Sequence, residues 1–123
     1  IVRGTTSIKI VQMMRDAGAT EVHMRIAAPP IKYPDFYGID TPVQEQLLAA
    51  NNSLEEMCQF IGADSLAFLS VDGLYKAMGH IDGRDPENPA FTDHCFTGDY
   101  PTQLKDQKND ETIQQLSLLS DRR

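Results

Sequence analysis

The sequence predicts an α/β fold, a partial layer of parallel strands and helices followed by an irregular C-terminal tail. Three observations predict it. Residues 5–17 carry apolar side chains at helical spacing, residues 21–27 alternate apolar with polar, and residues 66–69 form a short apolar run between two further helical patterns. The order helix, strand, two helices, strand, helix over residues 5–78 is that of an α/β layer with parallel strands. Two strands are too few for a stable sheet covered on both faces, so partner strands are expected upstream of Ile1.

The chain opens on Ile1-Val2-Arg3-Gly4-Thr5-Thr6-Ser7, a glycine and a run of hydroxyl residues leading straight into a helical pattern. A glycine lets the backbone come close to an anion. Hydroxyl donors and the first free N–H groups of a helix then point at it, with the positive end of the helix dipole behind them. On local pattern alone, a phosphate-binding loop and a ligand-free loop with an N-cap fit these residues equally well. The start of the chain inside such a loop suggests the second part of a larger enzyme, divided within its binding site.

Thr5 or Thr6 is the expected cap of the first helix. Ile10, Val11, Met14 and Ala17 form its stripe and Gly18 its C-terminal stop. In residues 21–27, Val22, Met24 and Ile26 alternate with His23 and Arg25, which gives one buried face and places His23 on the other. Pro29-Pro30 ends that strand, and residues 31–40, with Tyr33, Pro34, Phe36, Tyr37 and Gly38, read as an ordered loop. Thr41-Pro42-Val43-Gln44 has the form of a capped helix start, with proline at the first helical position. Ser53-Leu54-Glu55-Glu56 is a second capping box, opening a stripe of Leu54, Met57, Cys58 and Ile61 that Gly62 closes. Leu74, Ala77 and Met78 predict a short last helix.

Composition changes at Gly79. We expect one unit over residues 1–80 and an irregular segment over residues 81–123, with a mobile turn at 82–89, an aromatic patch at 91–100 and a weak apolar pattern at Ile113, Leu116 and Leu119. The net charge of −7, from 11 basic and 18 acidic residues, argues against nucleic acid or an anionic membrane as the main partner. No apolar run reaches the roughly 18 residues of a membrane span, and the start lacks a signal-peptide pattern. Two cysteines, Cys58 and Cys95, make no disulfide framework, so the cytoplasm is the expected compartment.

Several segments, taken together and in order, narrow the reading. Residues 1–7 are followed by Gln-Met-Met-Arg-Asp-Ala-Gly-Ala at 12–19, Ala-Pro-Pro at 28–30 and Tyr-Gly-Ile-Asp at 37–40. Ile-Gly-Ala-Asp at 61–64 and Cys-Phe-Thr-Gly-Asp-Tyr-Pro-Thr at 95–102 complete the series. This series resembles amidophosphoribosyltransferase, the glutamine phosphoribosylpyrophosphate amidotransferase of purine synthesis, over residues 1–102. The resemblance implies a partial type I phosphoribosyltransferase fold. It implies an enzyme in which ammonia released from glutamine by an N-terminal domain displaces pyrophosphate from phosphoribosylpyrophosphate and yields phosphoribosylamine. Feedback inhibition by AMP and GMP, homo-oligomers and Mg²⁺ in the full reaction are implied with it.

Residue by residue, Arg3, Gly4, Thr5, Thr6 and Ser7 match the part of the family's loop that holds the 5′-phosphate. A β-branched residue at Gly4 is expected to block the closest backbone approach. The family's acidic pair would precede Ile1, so no catalytic residue and no Mg²⁺ ligand is assigned here, and the chain by itself is expected to be inactive. Tyr37 and Asp40 are candidates for a substrate-side loop, although loop packing for Tyr37 and helix capping for Asp40 fit as well. A non-catalytic nucleotide-phosphate-binding or interaction module is the alternative reading.

Some family members hold a four-iron, four-sulfur cluster, and its ligand positions correspond here to Asp35, Thr92 and Cys95. One thiolate cannot hold a cluster that needs about four, so no cluster is expected. Asp93-His94-Cys95 and His80-Ile81-Asp82 contain metal-ligand types without the paired spacing of a zinc site, and no metal is assigned to them. Cys95 reads as a free thiol and Cys58 as core.

Overall fold

The computed structural model describes residues 1–102 and 104. The apolar pattern expected at Ile113, Leu116 and Leu119 lies outside them. Two strands, β1 (His23–Ile26) and β2 (Ser65–Phe68), pair in parallel with His23 opposite Ser65 and Ile26 opposite Phe68. The helices are α1 (Thr5–Asp16), α2 (Leu48–Asn51), α3 (Leu54–Ile61), α4 (Val71–Ala77) and α5 (His94–Thr97), with a 3-10 turn at Gln44–Gln46 before α2. The expected order of helix, strand, helices, strand, helix is therefore present, and α5 is added beyond it.

The main core joins Leu48 and Ala49 of α2, Met57 and Ile61 of α3 and Leu66 of β2, with Met24 and Ile26 of β1 against them. Met24 and Ile26 face inward while His23 and Arg25 are exposed, as the alternation requires. His23 hydrogen-bonds Ser65 Oγ at 2.8 Å and Glu21 at 3.0 Å on the outer face of the sheet.

Local chemistry explains most element ends. The capping box at Ser53 is complete: Glu56 N–H donates to Ser53 Oγ, and Ser53 N–H donates to Glu56. Such a cap contributes about 1 kcal/mol. It holds the Glu56 carboxyl below its usual range, the Ser53 backbone N–H being the larger cause. Gly62, at φ 76°, ends α3 in the left-handed region. Gly18 follows the C-cap Ala17, and its N–H and that of Ala19 close a Schellman motif on Arg15 and Met14.

Four expectations are corrected. Neither Thr5 nor Thr6 caps α1; both lie in its first turn, and Gly4 is the N-cap at φ 82°. Of the expected α1 stripe only Val11 is buried; Ile10 and Met14 stay exposed, and Ser7 is buried instead. No helix starts at Thr41, because its hydroxyl accepts from Asp35 N–H at 2.7 Å and serves the preceding loop. In α4 the buried residue is Tyr75; Met78 is exposed, because the helix packs on the 80–93 segment through its aromatic ring.

That segment is tied to its neighbours at Arg84 and Asp93. Arg84 N–H donates to Asp72, and the Arg84 side chain reaches Asp93 at 2.6 Å and Asp99 at 2.6 Å. Tyr75 Oη donates to Asp93 at 2.7 Å, and Thr97 Oγ1 donates to it at 3.0 Å. Burial pushes the Asp93 carboxyl up, but Arg84, Tyr75 and Thr97 outweigh it and hold it below its usual range. Of these, Arg84 N–H to Asp72 and Tyr75 Oη to Asp93 cross position 80 in the sequence, as does Tyr100 Oη to Pro34 O.

A second charged tie joins three elements. Arg15 donates to Gly62 O at 2.9 Å and to Asp64 at 2.8 Å, and Asp64 also accepts from Val22 N–H at 2.7 Å. The Val22 N–H, then Arg15, lower the Asp64 carboxyl from its ordinary value of 3.8. A depressed folded-state pKa means the stabilisation is complete above that ordinary value and is lost as pH falls through the depressed one. Asp64→Asn should therefore lower the urea midpoint at neutral pH and flatten its decline below pH 3.8. A variant with the wild-type acid profile would remove Asp64 from this tie.

Candidate functional site

A cleft of about 630 Å³ opens where the start of the chain enters α1. All five expected phosphate-loop residues, Arg3, Gly4, Thr5, Thr6 and Ser7, line it. Met24 and Ile26 of β1 and Asp40 and Pro42 of the following loop are also in its wall. Sequence pattern placed the five together and offered Asp40 apart from them; the fold brings Asp40 and the sheet floor to the same cleft.

The geometry of the loop follows from three contacts. Val2 O accepts from Leu48 N–H at 2.8 Å, which ties the chain start to α2. Gly4 turns the backbone in the left-handed region, where a side chain is strained. A Cβ there would meet Leu48 Cδ2 and Phe60 Cε1, each at 2.9 Å. So packing against α2 and α3 by itself requires the glycine.

The first backbone bond of α1 runs from Ile8 N–H to Gly4 O. The N–H groups of Thr5, Thr6 and Ser7 precede it and have no carbonyl one turn back to meet. No acidic side chain sits in that first turn to satisfy them. Arg3, Thr5 and Thr6 are exposed at the cleft and Ser7 is buried. A positive helix end, hydroxyl donors and a guanidinium thus converge on one space, which is the chemistry of an anion site.

Asp40 and Tyr37 part company. Asp40 lines the cleft. Tyr37 is turned to α5: its hydroxyl meets Thr102 Oγ1 at 2.9 Å and its ring packs edge-on against His94 at 4.9 Å. With no helix beginning at Thr41, Asp40 caps nothing.

The 31–40 loop is ordered by Asp35. Its Oδ2 accepts from Tyr37 N–H at 2.8 Å and Ile39 N–H at 2.7 Å, and its Oδ1 pairs with His94 Nε2 at 2.5 Å. The Ile39 N–H is the largest cause that lowers the Asp35 carboxyl, against the opposing effect of burial. Lys32 and Tyr33 N–H donate to Cys95 O. Burial, then the Asp35 charge, pushes the Cys95 thiol up. The donors at this place are one carboxylate, one imidazole and one thiol, which do not fit an iron–sulfur cluster. Sequence spacing missed the buried Asp35–His94 pair because the partners are 59 residues apart.

Among the described residues no helix is long and apolar enough to cross a membrane. No protein-family model matches the chain. It is 60% identical over 121 residues to amidophosphoribosyltransferase of Rhizobium etli, covering 98% of this chain and 24% of that protein. It is 56% identical to the Bacillus subtilis amidophosphoribosyltransferase over 104 residues, or 85% of this chain and 21% of that one. It is similar to the solved glutamine phosphoribosylpyrophosphate amidotransferase from B. subtilis in complex with ADP and GMP, with a TM-score of 0.73 and 56% identity. That match covers 84% of this chain and 22% of the solved one. The chain thus spans about a quarter or less of the length of these relatives. Its two parallel strands and flanking helices are part of an α/β layer of the phosphoribosyltransferase type, and over the stretch it spans the chain belongs with the amidophosphoribosyltransferases.

Proposed function

We propose that this chain supplies the 5′-phosphate anchor of a phosphoribosyltransferase site in an amidophosphoribosyltransferase. The observation that carries the reading is the cleft at Arg3, Gly4, Thr5, Thr6 and Ser7, where the leftover N–H groups of α1 and two exposed threonines face one space. In this reading the whole protein makes 5-phosphoribosylamine from phosphoribosylpyrophosphate and glutamine, the first committed step of purine nucleotide synthesis. Ammonia displaces pyrophosphate at C1, several bonds away from the anchored phosphate.

The anchor does not touch the reacting carbon. It fixes one end of the substrate, and the binding energy gained there orients the other end. We place no catalytic group on this chain. Mg²⁺ belongs to the full reaction, but among the described residues Asp40 is the single carboxylate in the cleft wall, so no ion and no step through one is assigned to these residues. Purine nucleotides carry a 5′-phosphate too, and we propose AMP and GMP as competing occupants of the same loop. A homo-oligomer in the cytoplasm completes the reading.

Calorimetric titration of the full-length protein with phosphoribosylpyrophosphate and with AMP tests it. Arg3 is exposed, so Arg3→Ala should change stability by less than about 0.5 kcal/mol. It should weaken both ligands by roughly tenfold or more, the cost of one charge-assisted contact. Unchanged affinity in Arg3→Ala, and in a companion Thr6→Ala, would remove this loop from the phosphate site.

A further inference from the structure

Away from the cleft, a second set of reactive groups meets between the 31–40 loop and α5. The carboxylate of Asp35, the imidazole of His94 and the thiol of Cys95 bring their donor atoms within 4.8 Å of one another. Asp35 and His94 are buried, at 9% and 4% exposure, and Cys95 is half-buried. His94 uses Nε2 toward Asp35, while its Nδ1 is buried with no hydrogen-bond partner. A buried ring nitrogen without a partner is uncommon in a folded protein. Here it leaves the imidazole with unused capacity beside a carboxylate and a thiol.

We propose that Asp35, His94 and Cys95 form a site for one divalent transition-metal ion of borderline softness, Zn²⁺ being the best match. Oxygen, nitrogen and sulfur donors together suit such an ion, and a hard ion such as Mg²⁺ would not choose a thiolate. Three protein ligands leave the fourth position to water. Binding releases the Cys95 thiol proton, and the imidazole holds the ion through a ring nitrogen that carries no proton in the complex. The carboxylate and the thiolate together balance the ion's two charges.

The surroundings are those of a ligand shell held in place from outside. Tyr37 and Ile39 N–H groups fix the second oxygen of Asp35. Tyr37 and Tyr100 rings lie 4.9 and 5.1 Å from the His94 ring and restrict water around it. His94 and Cys95 are adjacent in α5, and Cys95 O is bonded by Lys32 and Tyr33. The ion would clip the loop that ends at Asp40 to a helix 59 residues beyond Asp35. The site stands independently of the phosphate reading, since none of its three residues lines that cleft.

The test is titration of the metal-stripped, full-length protein with Co²⁺ and then Zn²⁺. Wild type should develop a thiolate-to-cobalt charge-transfer band that Zn²⁺ displaces. The band should persist in C58S and disappear in C95S, and His94→Gln should weaken Co²⁺ binding at least about tenfold. A measurement on unaltered protein guards against variants that fail to fold: saturating Zn²⁺ should protect Cys95, and not Cys58, from alkylation read by mass spectrometry. Absence of the band in folded wild type, a band of equal strength in C95S, or alkylation of Cys95 that Zn²⁺ does not slow would each overturn the proposal.

Discussion

Arg84→Met should destabilise the protein by about 3–5 kcal/mol, the cost of leaving a buried carboxylate without its cation. Asp93 is 5% exposed, and Arg84 holds it through Nε at 2.6 Å and Nη2 at 3.3 Å. Methionine keeps most of the side-chain volume, so the loss measured is that of charge and hydrogen bonding. Tyr75 and Thr97 would still donate to Asp93 but carry no positive charge. The Asp99 arm of the network is far more exposed, and Asp99→Asn should cost less than about 1 kcal/mol. Replacing both members of the buried pair, as Arg84→Met with Asp93→Leu, should recover much of the loss, because an apolar pair of similar size needs no compensation. Urea unfolding of the four proteins reads all three values. A loss below 1 kcal/mol in Arg84→Met would show that water reaches Asp93 and that the network is not the clasp of the 80–93 segment.

Gly4→Val should cost about 3 kcal/mol and take phosphate binding with it. The left-handed backbone at φ 82° costs an L side chain roughly 1–2 kcal/mol, more when it is β-branched. The added carbon also meets Leu48 and Phe60 at 2.9 Å, and overpacking of this kind adds about 1–3 kcal/mol. Phe60 is half-exposed and can swing away, but Leu48 belongs to the main core and cannot. Gly4→Asn, which tolerates the left-handed region, should fall between wild type and valine. Thermal unfolding together with phosphoribosylpyrophosphate titration separates the effects. A Gly4→Val protein of wild-type stability that has lost affinity would return the glycine to the ligand side of the loop.

Legibility tracked distance along the chain. The box at Ser53 and the stop at Gly62 were readable because cap and capped groups lie within four residues. The loop at residues 3–7 was readable for the same reason: glycine, hydroxyls and helix start are contiguous, and the cleft contains all five. Thr41 misled because an equally local pattern had a competitor, the N–H of Asp35, that took its hydroxyl. In α1 the stripe of Ile10 and Met14 gave the right helix and the wrong burial, since the described residues place nothing over those side chains. The Asp35–His94 pair and the Arg84–Asp93 pair were hidden for a different reason. Charged side chains in turn-rich stretches look solvated until the chain brings their partners back across 59 and 9 residues.

The far end of α1 bears on how its near end grips. Arg15 bolts that end to Gly62 O and to Asp64, which is fastened in turn to Val22 at the entry to β1. The bolt lies about 15 Å from the cleft at the start of α1, at 1.5 Å per helical residue. An anion drawn to the leading amides would tug on a rod already moored at its stern. For the rod to glide forward after its cargo, that mooring would have to break.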